Sequence, residues 1–146
     1  MHHITPEPQR SQALAQFDFP VRGWSRTPHK MPGVTTFSGE AEFNEFLAGT
    51  RVLVNLLPLT PQTENILRRD TLQRLLPGAY LINVARGAHL VEDDLLALLD
   101  IGHLAGATLD VFRTEPLPAG HPFWTHRRIT VTPHTSARTL RDESIA

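Results

Sequence analysis

The stretch YLINVAR, residues 80–86, gives the clearest indication of the fold class of this chain. Its first six residues are mostly apolar, and Arg86 follows them directly. A continuous apolar run of this length is typical of a strand covered on both faces, as in parallel α/β sheets. Ligands bind such sheets at the carboxyl ends of the strands. We therefore expect Arg86 to lie at a binding edge.

Two further apolar runs also lead into a polar side chain. ATLDVF, residues 107–112, precedes Glu115, and ITVTP, residues 129–133, precedes His134. Because the carboxyl ends of parallel strands share one edge, these side chains and Arg86 are expected to converge. A cation, a carboxylate and an imidazole together suit proton transfer to an anionic substrate. Each also has an alternative: a turn cap, a surface charge and a loop histidine.

Strand and helix patterns alternate along the rest of the chain. Strands are predicted at 19–24, 52–57, 79–84, 107–111 and 129–131, and helices at 11–17, 40–48, 91–99 and within 63–76. Residues 28–33, with two prolines and a glycine, are assigned to a loop. This alternation predicts an α/β domain, a Rossmann-like parallel sheet with helices on both faces.

The chain is predicted to form one domain after a short leader. Residues 1–10, which contain two prolines and no apolar core, are expected to be a disordered leader and not a signal peptide. Residues 11–146 are assigned to a partial dinucleotide-binding domain. None of the nine glycines has G-x-G-x-x-G spacing. Either the protein binds no dinucleotide, or its first strand and glycine-rich phosphate loop are missing, and the rest of the chain favours the second interpretation.

The composition excludes several classes of function. Charged residues make up 20% of the chain and the formal net charge is −1, so no nucleic-acid or membrane partner is predicted. No apolar stretch approaches the ~20 residues of a membrane span. The absence of cysteine excludes disulfides and thiolate chemistry, and we expect a cytoplasmic location. The histidines lack the spacing of metal-binding motifs, so no metal site is predicted.

The turn after the first predicted strand indicates which dinucleotide the domain binds. In Rossmann-like domains an acidic residue at this turn binds a ribose 2′-hydroxyl, whereas an arginine accommodates a 2′-phosphate. Here Ser25, Arg26 and Thr27 occupy the turn, with no acidic residue among them. A guanidinium pairs with phosphate, and the two hydroxyls add donors. The turn favours NADP over NAD, and the alternative is that Arg26 is a solvated loop cation.

Several stretches, in order along the chain, resemble the coenzyme-binding domain of the D-isomer-specific 2-hydroxyacid dehydrogenases, and within that family the reductases of glyoxylate and hydroxypyruvate. The matching stretches are FPVRGWSR (19–26), VNLLP (54–58), TPQT (60–63), NVARG (83–87), VEDDLL (91–96), LDVF (109–112), EPLP (115–118) and TPH (132–134). The resemblance extends from about residue 11 to the end of the chain. It implies an NADP-dependent oxidoreductase, a small 2-oxo or 2-hydroxy acid as substrate, and a homodimer.

The resemblance implies a role for each predicted site residue. Arg86 would bind the substrate carboxylate and polarise the 2-oxo group, His134 would be the general acid, and Glu115 would hydrogen-bond His134. The physical chemistry agrees, because a guanidinium matches a carboxylate, histidine titrates near neutral pH and a neighbouring carboxylate raises its pKa. The residues implied to border the nicotinamide half of the cofactor are Leu57, Pro58, Val84, Ala85, Arg86, Asp110 and Ser136.

The chain also departs from the family's pattern. A separate substrate-binding domain, the first strand and the glycine loop are expected to be absent. Without the loop, the pyrophosphate loses the helix N-terminus that would bind it. Without the second domain, the substrate cleft loses one wall and its exclusion of water. Two hypotheses therefore stand: an NADP-dependent reductase of small 2-oxo acids, and an inactive truncated Rossmann-like domain that acts through self-association or a partner protein.

Overall fold

The computed structural model describes residues 2–4 and 20–132. Its strands are β1 (His2–Ile4), β2 (Val21–Ser25), β3 (Val34–Ser38), β4 (Val52–Asn55), β5 (Ala79–Asn83), β6 (Leu104–Leu109) and β7 (Ile129–Val131). The α-helices among these residues are α1 (Gly39–Ala48), α2 (Arg69–Leu72) and α3 (Glu92–Asp100), and single 3₁₀ turns lie at Gly87–His89 and Pro122–Trp124. Within these ranges, no helix is long and apolar enough to cross a membrane.

The described strands form one sheet in the order β3-β2-β1-β4-β5-β6-β7. Every pair of neighbouring strands is parallel. The chain runs outward from β1 through β2 to β3 at one edge of the sheet, and returns to the middle at β4. It then runs outward through β5 and β6 to β7 at the other edge, so the strand order reverses at the β1–β4 boundary. A crevice opens at such a boundary on the carboxyl edge. The predicted class, a Rossmann-like parallel α/β sheet, is confirmed.

Two of the predictions are wrong at residues 2–4. His2–Ile4 pairs in parallel with β2 on one side and β4 on the other. These residues therefore form a central strand and not a disordered leader, and the first strand is not missing. A three-residue strand beside prolines carries too little apolar pattern to be recognised. The rest of the predicted leader and the helix predicted at 11–17 lie outside the described residues.

The core lies between the sheet and the helices α1 to α3. Leu53 and Leu81 are paired in register on adjacent strands, and both are completely buried. Phe46 and Leu47 of α1 belong to the same buried cluster. Each fully buried side chain of this size contributes about 1.5–3 kcal/mol of transfer free energy. This packing fixes the strands, and with them the positions of the loops that leave their carboxyl ends.

Some element boundaries differ from those predicted. Strand β3 was not predicted, because its residues are partly exposed at the sheet edge and carry a weak apolar pattern. Strand β6 begins at Leu104, three residues before the predicted start. One or two short helices were predicted within 63–76, and the structure has one α-helix there, the four residues of α2. None of these differences changes which loops emerge at the carboxyl edge.

Candidate functional site

The carboxyl ends of β2, β4, β5 and β6 lie at one edge of the sheet, because all neighbouring strands are parallel. Residues 25–27, 55–58, 83–87 and 110–115 follow these ends directly. Thus the structure brings the described part of the predicted site, from the Arg26 turn to Glu115, to a single edge. This is the edge at which parallel α/β sheets bind ligands.

Two asparagines join the ends of β4 and β5. Asn55 and Asn83 are paired in register, and both are completely buried. The Asn55 Nδ2 donates to the Asn83 Oδ1 at 3.0 Å. The Asn55 Oδ1 accepts from the Leu57 N–H at 3.2 Å, and the Asn83 Nδ2 donates to the Arg86 carbonyl at 3.1 Å. The pair therefore holds the loop after β4 and the loop after β5 side by side.

The loop after β4 presents Pro58 at the edge. Leu57 is buried, whereas Pro58 is exposed. The Pro58 carbonyl accepts from the Thr63 Oγ1 at 2.8 Å, and the His89 Nε2 lies 3.3 Å from the same oxygen. Thr63 is itself buried, and its hydroxyl also accepts from the Thr60 N–H at 2.8 Å. These contacts give the loop a defined shape without regular secondary structure.

The loop after β5 presents the guanidinium of Arg86. Arg86 is exposed, and its Nη1 donates to the Ala85 carbonyl at 2.7 Å. Gly87 has no room for a side chain, because a Cβ there would lie 1.9 Å from the carbonyl carbon of Phe112. The Arg86 loop is therefore packed tightly on the loop after β6. An exposed guanidinium on a fixed backbone can bind a carboxylate in a bidentate manner.

The loop after β6 contains both predicted carboxylates. Asp110 is buried, its N–H donates to the Asn83 carbonyl at 3.0 Å, and its carboxylate accepts from the Thr132 hydroxyl. Glu115 is exposed, and its Oε1 accepts from the Phe112 N–H at 3.0 Å. Since Phe112 also contacts the loop that carries the guanidinium, the carboxylate and the cation sit on adjacent loops.

His134 and Ser136 lie outside the described residues. The predicted contact between His134 and Glu115 therefore stays a prediction. Thr132 belongs to the described part, and its N–H donates to the Leu109 carbonyl at 3.0 Å. The chain thus reaches the carboxyl edge two residues before His134.

A cleft of about 490 Å³ opens beyond the end of β2. Its wall includes Trp24, Arg26, Glu40, Phe43, Glu64 and Arg68. The Ser25 Oγ donates to the Thr27 carbonyl at 2.6 Å, which closes the turn that carries Arg26. Aromatic walls with a guanidinium beside them suit a nucleotide that carries a phosphate. Arg68 was not predicted as a site residue, because it lies within residues 63–76, which the sequence assigned to helix with no motif that indicates a binding role.

His89 is a buried residue that the sequence did not single out. Its side chain is completely buried, with the Nε2 near the Pro58 carbonyl. Its Nδ1 has no hydrogen-bond partner in the described part of the chain. Burial lowers the pKa of His89 below the ordinary value of 6.5, so the imidazole is neutral at neutral pH. No pattern in a single sequence distinguishes such a histidine from an exposed one.

The two buried asparagines did leave a signal that was not used. Asn55 interrupts the apolar run VLVNLLP, residues 52–58, and Asn83 interrupts LINVA, residues 81–85. A polar residue in a buried strand must find a hydrogen-bond partner. Two such residues in adjacent predicted strands could therefore have been proposed as partners.

The described residues fit NADP at its two ends. Arg26 beside the cleft suits the 2′-phosphate, and the loops of Pro58 and Arg86 form a fixed rim at the ends of β4 and β5. Residues 5–19, between β1 and β2, lie outside the described residues. No glycine precedes Gly23 in the sequence, so a glycine-rich turn does not supply the usual amides for a pyrophosphate.

Comparisons with known proteins agree with this geometry. A family model described as the NAD binding domain of D-isomer specific 2-hydroxyacid dehydrogenases matches residues 9–136. A curated glyoxylate/hydroxypyruvate reductase A from Serratia proteamaculans (strain 568) is 58% identical over 130 residues, which cover 89% of this chain and 42% of that protein. A protein of the same name from Photorhabdus laumondii is 55% identical over 132 residues and is also covered to 42%. The chain thus spans about two fifths of the length of these relatives.

Solved structures show the same likeness. A D-isomer specific 2-hydroxyacid dehydrogenase from Xanthobacter autotrophicus Py2, in complex with NADPH and MES, has a TM-score of 0.89 and 44% identity, and the match covers 92% of this chain and 44% of that one. An NADPH-dependent glyoxylate/hydroxypyruvate reductase from Sinorhizobium meliloti, in complex with NADP and sulfate, has a TM-score of 0.88 and 36% identity, with 95% of this chain and 48% of that one covered.

Proposed function

Because the chain belongs to the D-isomer specific 2-hydroxyacid dehydrogenase family, of which it matches the NAD binding domain, we propose that it acts as an NADP-dependent reductase of small 2-oxo acids. One observation carries the proposal: two exposed guanidinium groups, Arg26 and Arg86, follow the ends of β2 and β5 at the same edge. Their placement suits a cofactor phosphate at one position and a substrate carboxylate at the other. Glyoxylate and hydroxypyruvate are the proposed substrates.

The cofactor would lie along the carboxyl edge. Arg26 would bind the 2′-phosphate with the Thr27 hydroxyl as a neighbouring donor, and the Ser25 hydroxyl, which donates to the Thr27 carbonyl, would hold the turn in shape. The residues proposed to border the nicotinamide half are Leu57, Pro58, Val84, Ala85, Arg86, Asp110 and Ser136. When bound, NADPH supplies the hydride that reduces the 2-oxo carbon.

The substrate would be held and protonated by three side chains of this chain. Arg86 would bind the carboxylate as a fork and polarise the neighbouring carbonyl. His134 would donate a proton to the carbonyl oxygen, and Glu115 would orient that imidazole and favour its charged form. The exposure of Arg86 and Glu115 on adjacent loops supports this assignment.

The cofactor preference tests the role of Arg26. A hydrogen bond to a charged group contributes about 1.5–3 kcal/mol. Arg26→Ala should therefore weaken NADPH binding about 10- to 100-fold and leave NADH binding unchanged, as measured by fluorescence titration of both cofactors. Arg127 is the matched control, since it is exposed and precedes β7 at the opposite edge of the sheet. Equal losses for NADPH and NADH would contradict the proposal.

Turnover tests the chemistry. NADPH should be oxidised by the chain in the presence of glyoxylate or hydroxypyruvate, and Arg86→Lys should raise the KM because lysine lacks the bidentate fork. A chain that prefers NADPH but oxidises it with neither substrate would favour the alternative, an inactive Rossmann-like domain that acts through self-association or a partner protein.

A further inference from the structure

We propose that His89 is a positioning residue for the nicotinamide half of NADP, because its imidazole fixes the Pro58 carbonyl relative to the loop that carries Arg86. The proposal rests on the proposed function, since it takes Pro58 and Arg86 as neighbours of the cofactor and substrate. His89 acts through Pro58 and is not itself a catalytic residue.

The backbone around Pro58 is held from several sides. The Leu57 N–H donates to the Asn55 Oδ1 at 3.2 Å, and Pro58 has no N–H of its own. The Pro58 carbonyl has two lone pairs. The Thr63 Oγ1 donates to this oxygen at 2.8 Å, and the His89 Nε2 lies 3.3 Å from it. Thr63 belongs to the same loop as Pro58, whereas His89 follows β5. The imidazole of His89 therefore links Pro58 to the loop after the neighbouring strand.

The backbone of His89 is anchored to the loop after β5. Its N–H donates to the Arg86 carbonyl at 3.3 Å, and its own carbonyl accepts from the Leu67 N–H at 2.8 Å. The neighbouring Val91 N–H donates to the Leu67 carbonyl at 2.9 Å. The imidazole therefore extends from a fixed backbone and couples the position of Pro58 to that of Arg86.

Packing alone does not account for an imidazole at this position. His89 is completely buried, and its Nδ1 has no hydrogen-bond partner among the residues described. A buried polar atom without a partner costs stability, whereas an apolar side chain of similar size would not incur that cost. Burial also lowers the pKa of His89. A neutral ring with its proton on Nε2 is the form that donates to the Pro58 carbonyl.

The binding of two ligands distinguishes a positioning role of His89 from a general effect of His89 on the structure. Adenosine 2′,5′-bisphosphate has the phosphorylated adenosine of NADPH but lacks the nicotinamide half. In the full 146-residue chain, His89→Leu should weaken NADPH binding about fivefold, the effect of one lost hydrogen bond. Binding of adenosine bisphosphate should not change. The Tm should be kept or raised, because the unpartnered nitrogen is removed.

Two further variants serve as rescue and control. His89→Gln places an amide nitrogen within reach of the same carbonyl, so it should restore most of the NADPH affinity. His103→Leu is the matched control, because the Nε2 of His103 is also buried without a partner in the described ranges, yet His103 precedes β6 at the opposite edge. It should leave the binding of both ligands unchanged.

The outcomes are distinct. Equal losses for both ligands in His89→Leu, or unchanged NADPH binding, would overturn the positioning role while leaving the proposed function intact. Failure of the wild-type chain to bind either ligand would contradict the proposed function, and the positioning role would fall with it. Nitrogen NMR of the imidazole gives an answer that needs no cofactor and no variant: the Nε2–H tautomer is expected, and an Nδ1–H tautomer would overturn the proposal.

Discussion

At the scale of single residues, Gly87 controls how closely the loops after β5 and β6 approach. A Cβ at this position would lie 1.9 Å from the carbonyl carbon of Phe112 and 2.1 Å from its oxygen. Both atoms belong to the backbone, so they cannot move aside by a change of rotamer. Gly87 therefore permits a contact between two loops of the proposed site.

Substitution of Gly87 tests this close approach. Gly87→Ala should lower the free energy of unfolding by about 3 kcal/mol, the upper part of the usual range for overpacking, as measured by urea denaturation. Gly120→Ala is the control, because a Cβ there meets no atom within 4 Å. It should change the free energy of unfolding by no more than about 0.5 kcal/mol. Equal effects of the two substitutions would show that the loops are not in close contact.

The buried imidazole of His89 predicts a pH dependence of stability. Burial lowers its pKa below 6.5, so under more acidic conditions the unfolded chain binds a proton that the folded chain does not. The free energy of unfolding should therefore decrease as the pH falls below 6.5, by up to about 1.4 kcal/mol per pH unit. Urea denaturation at several pH values should show this slope in the wild type and a smaller one in His89→Leu. Identical slopes in the wild type and in His89→Leu would contradict a lowered pKa at His89.

Residue-level prediction succeeded where the position along a strand was enough. Arg86 and Glu115 were expected at the carboxyl edge because they follow predicted strands, and the structure places both there, whereas Asp110 was named only through the family resemblance. The hydrogen bond between Asn55 and Asn83 spans 28 residues of sequence, so it depends on the pairing of β4 with β5. A single sequence shows where a strand ends, but not which distant side chain satisfies a buried polar group.

At the scale of elements, β1 is the strand that differs most from expectation. It lies between β2 and β4 in the middle of the sheet, although its sequence indicated a leader. Its neighbours supply the pairing on both sides, and long-range pairing of this kind leaves no trace in a three-residue pattern. In contrast, β4 and β5 lie in longer apolar runs and were predicted within two residues.

A proline at the centre of β1 tests its place in the sheet. His3 pairs with both β2 and β4, and proline removes a ladder hydrogen bond and is not tolerated in central strands. His3→Pro should therefore lower the free energy of unfolding by about 1–3 kcal/mol, the cost of leaving a buried backbone carbonyl without its hydrogen-bond partner. His29→Pro makes the same exchange in an exposed loop and should have little effect. A His3→Pro chain as stable as the wild type would support the disordered leader instead.

At the scale of the whole molecule, the parallel order of the strands brings distant residues together. The Arg26 turn, the Pro58 loop, the Arg86 loop and Glu115 follow four different strands and lie at one edge. The class of sheet, and the convergence of these segments at its carboxyl edge, could be predicted from the sequence. The sequence was not sufficient for the cleft beyond β2, because the wall of that cleft combines side chains of β2, α1 and the segment before α2.

Binding of NADPH at the carboxyl edge can be followed residue by residue, by amide NMR of the isotope-labelled chain during a titration with NADPH. We expect chemical-shift changes to cluster at this edge, at residues 25–27, 57 and 84–87, and the amides at the amino ends of β4, β5 and β7 to be unaffected. Shifts concentrated at those amino ends, or no shifts with NADPH in large excess over the chain, would contradict the claim that this edge binds the cofactor.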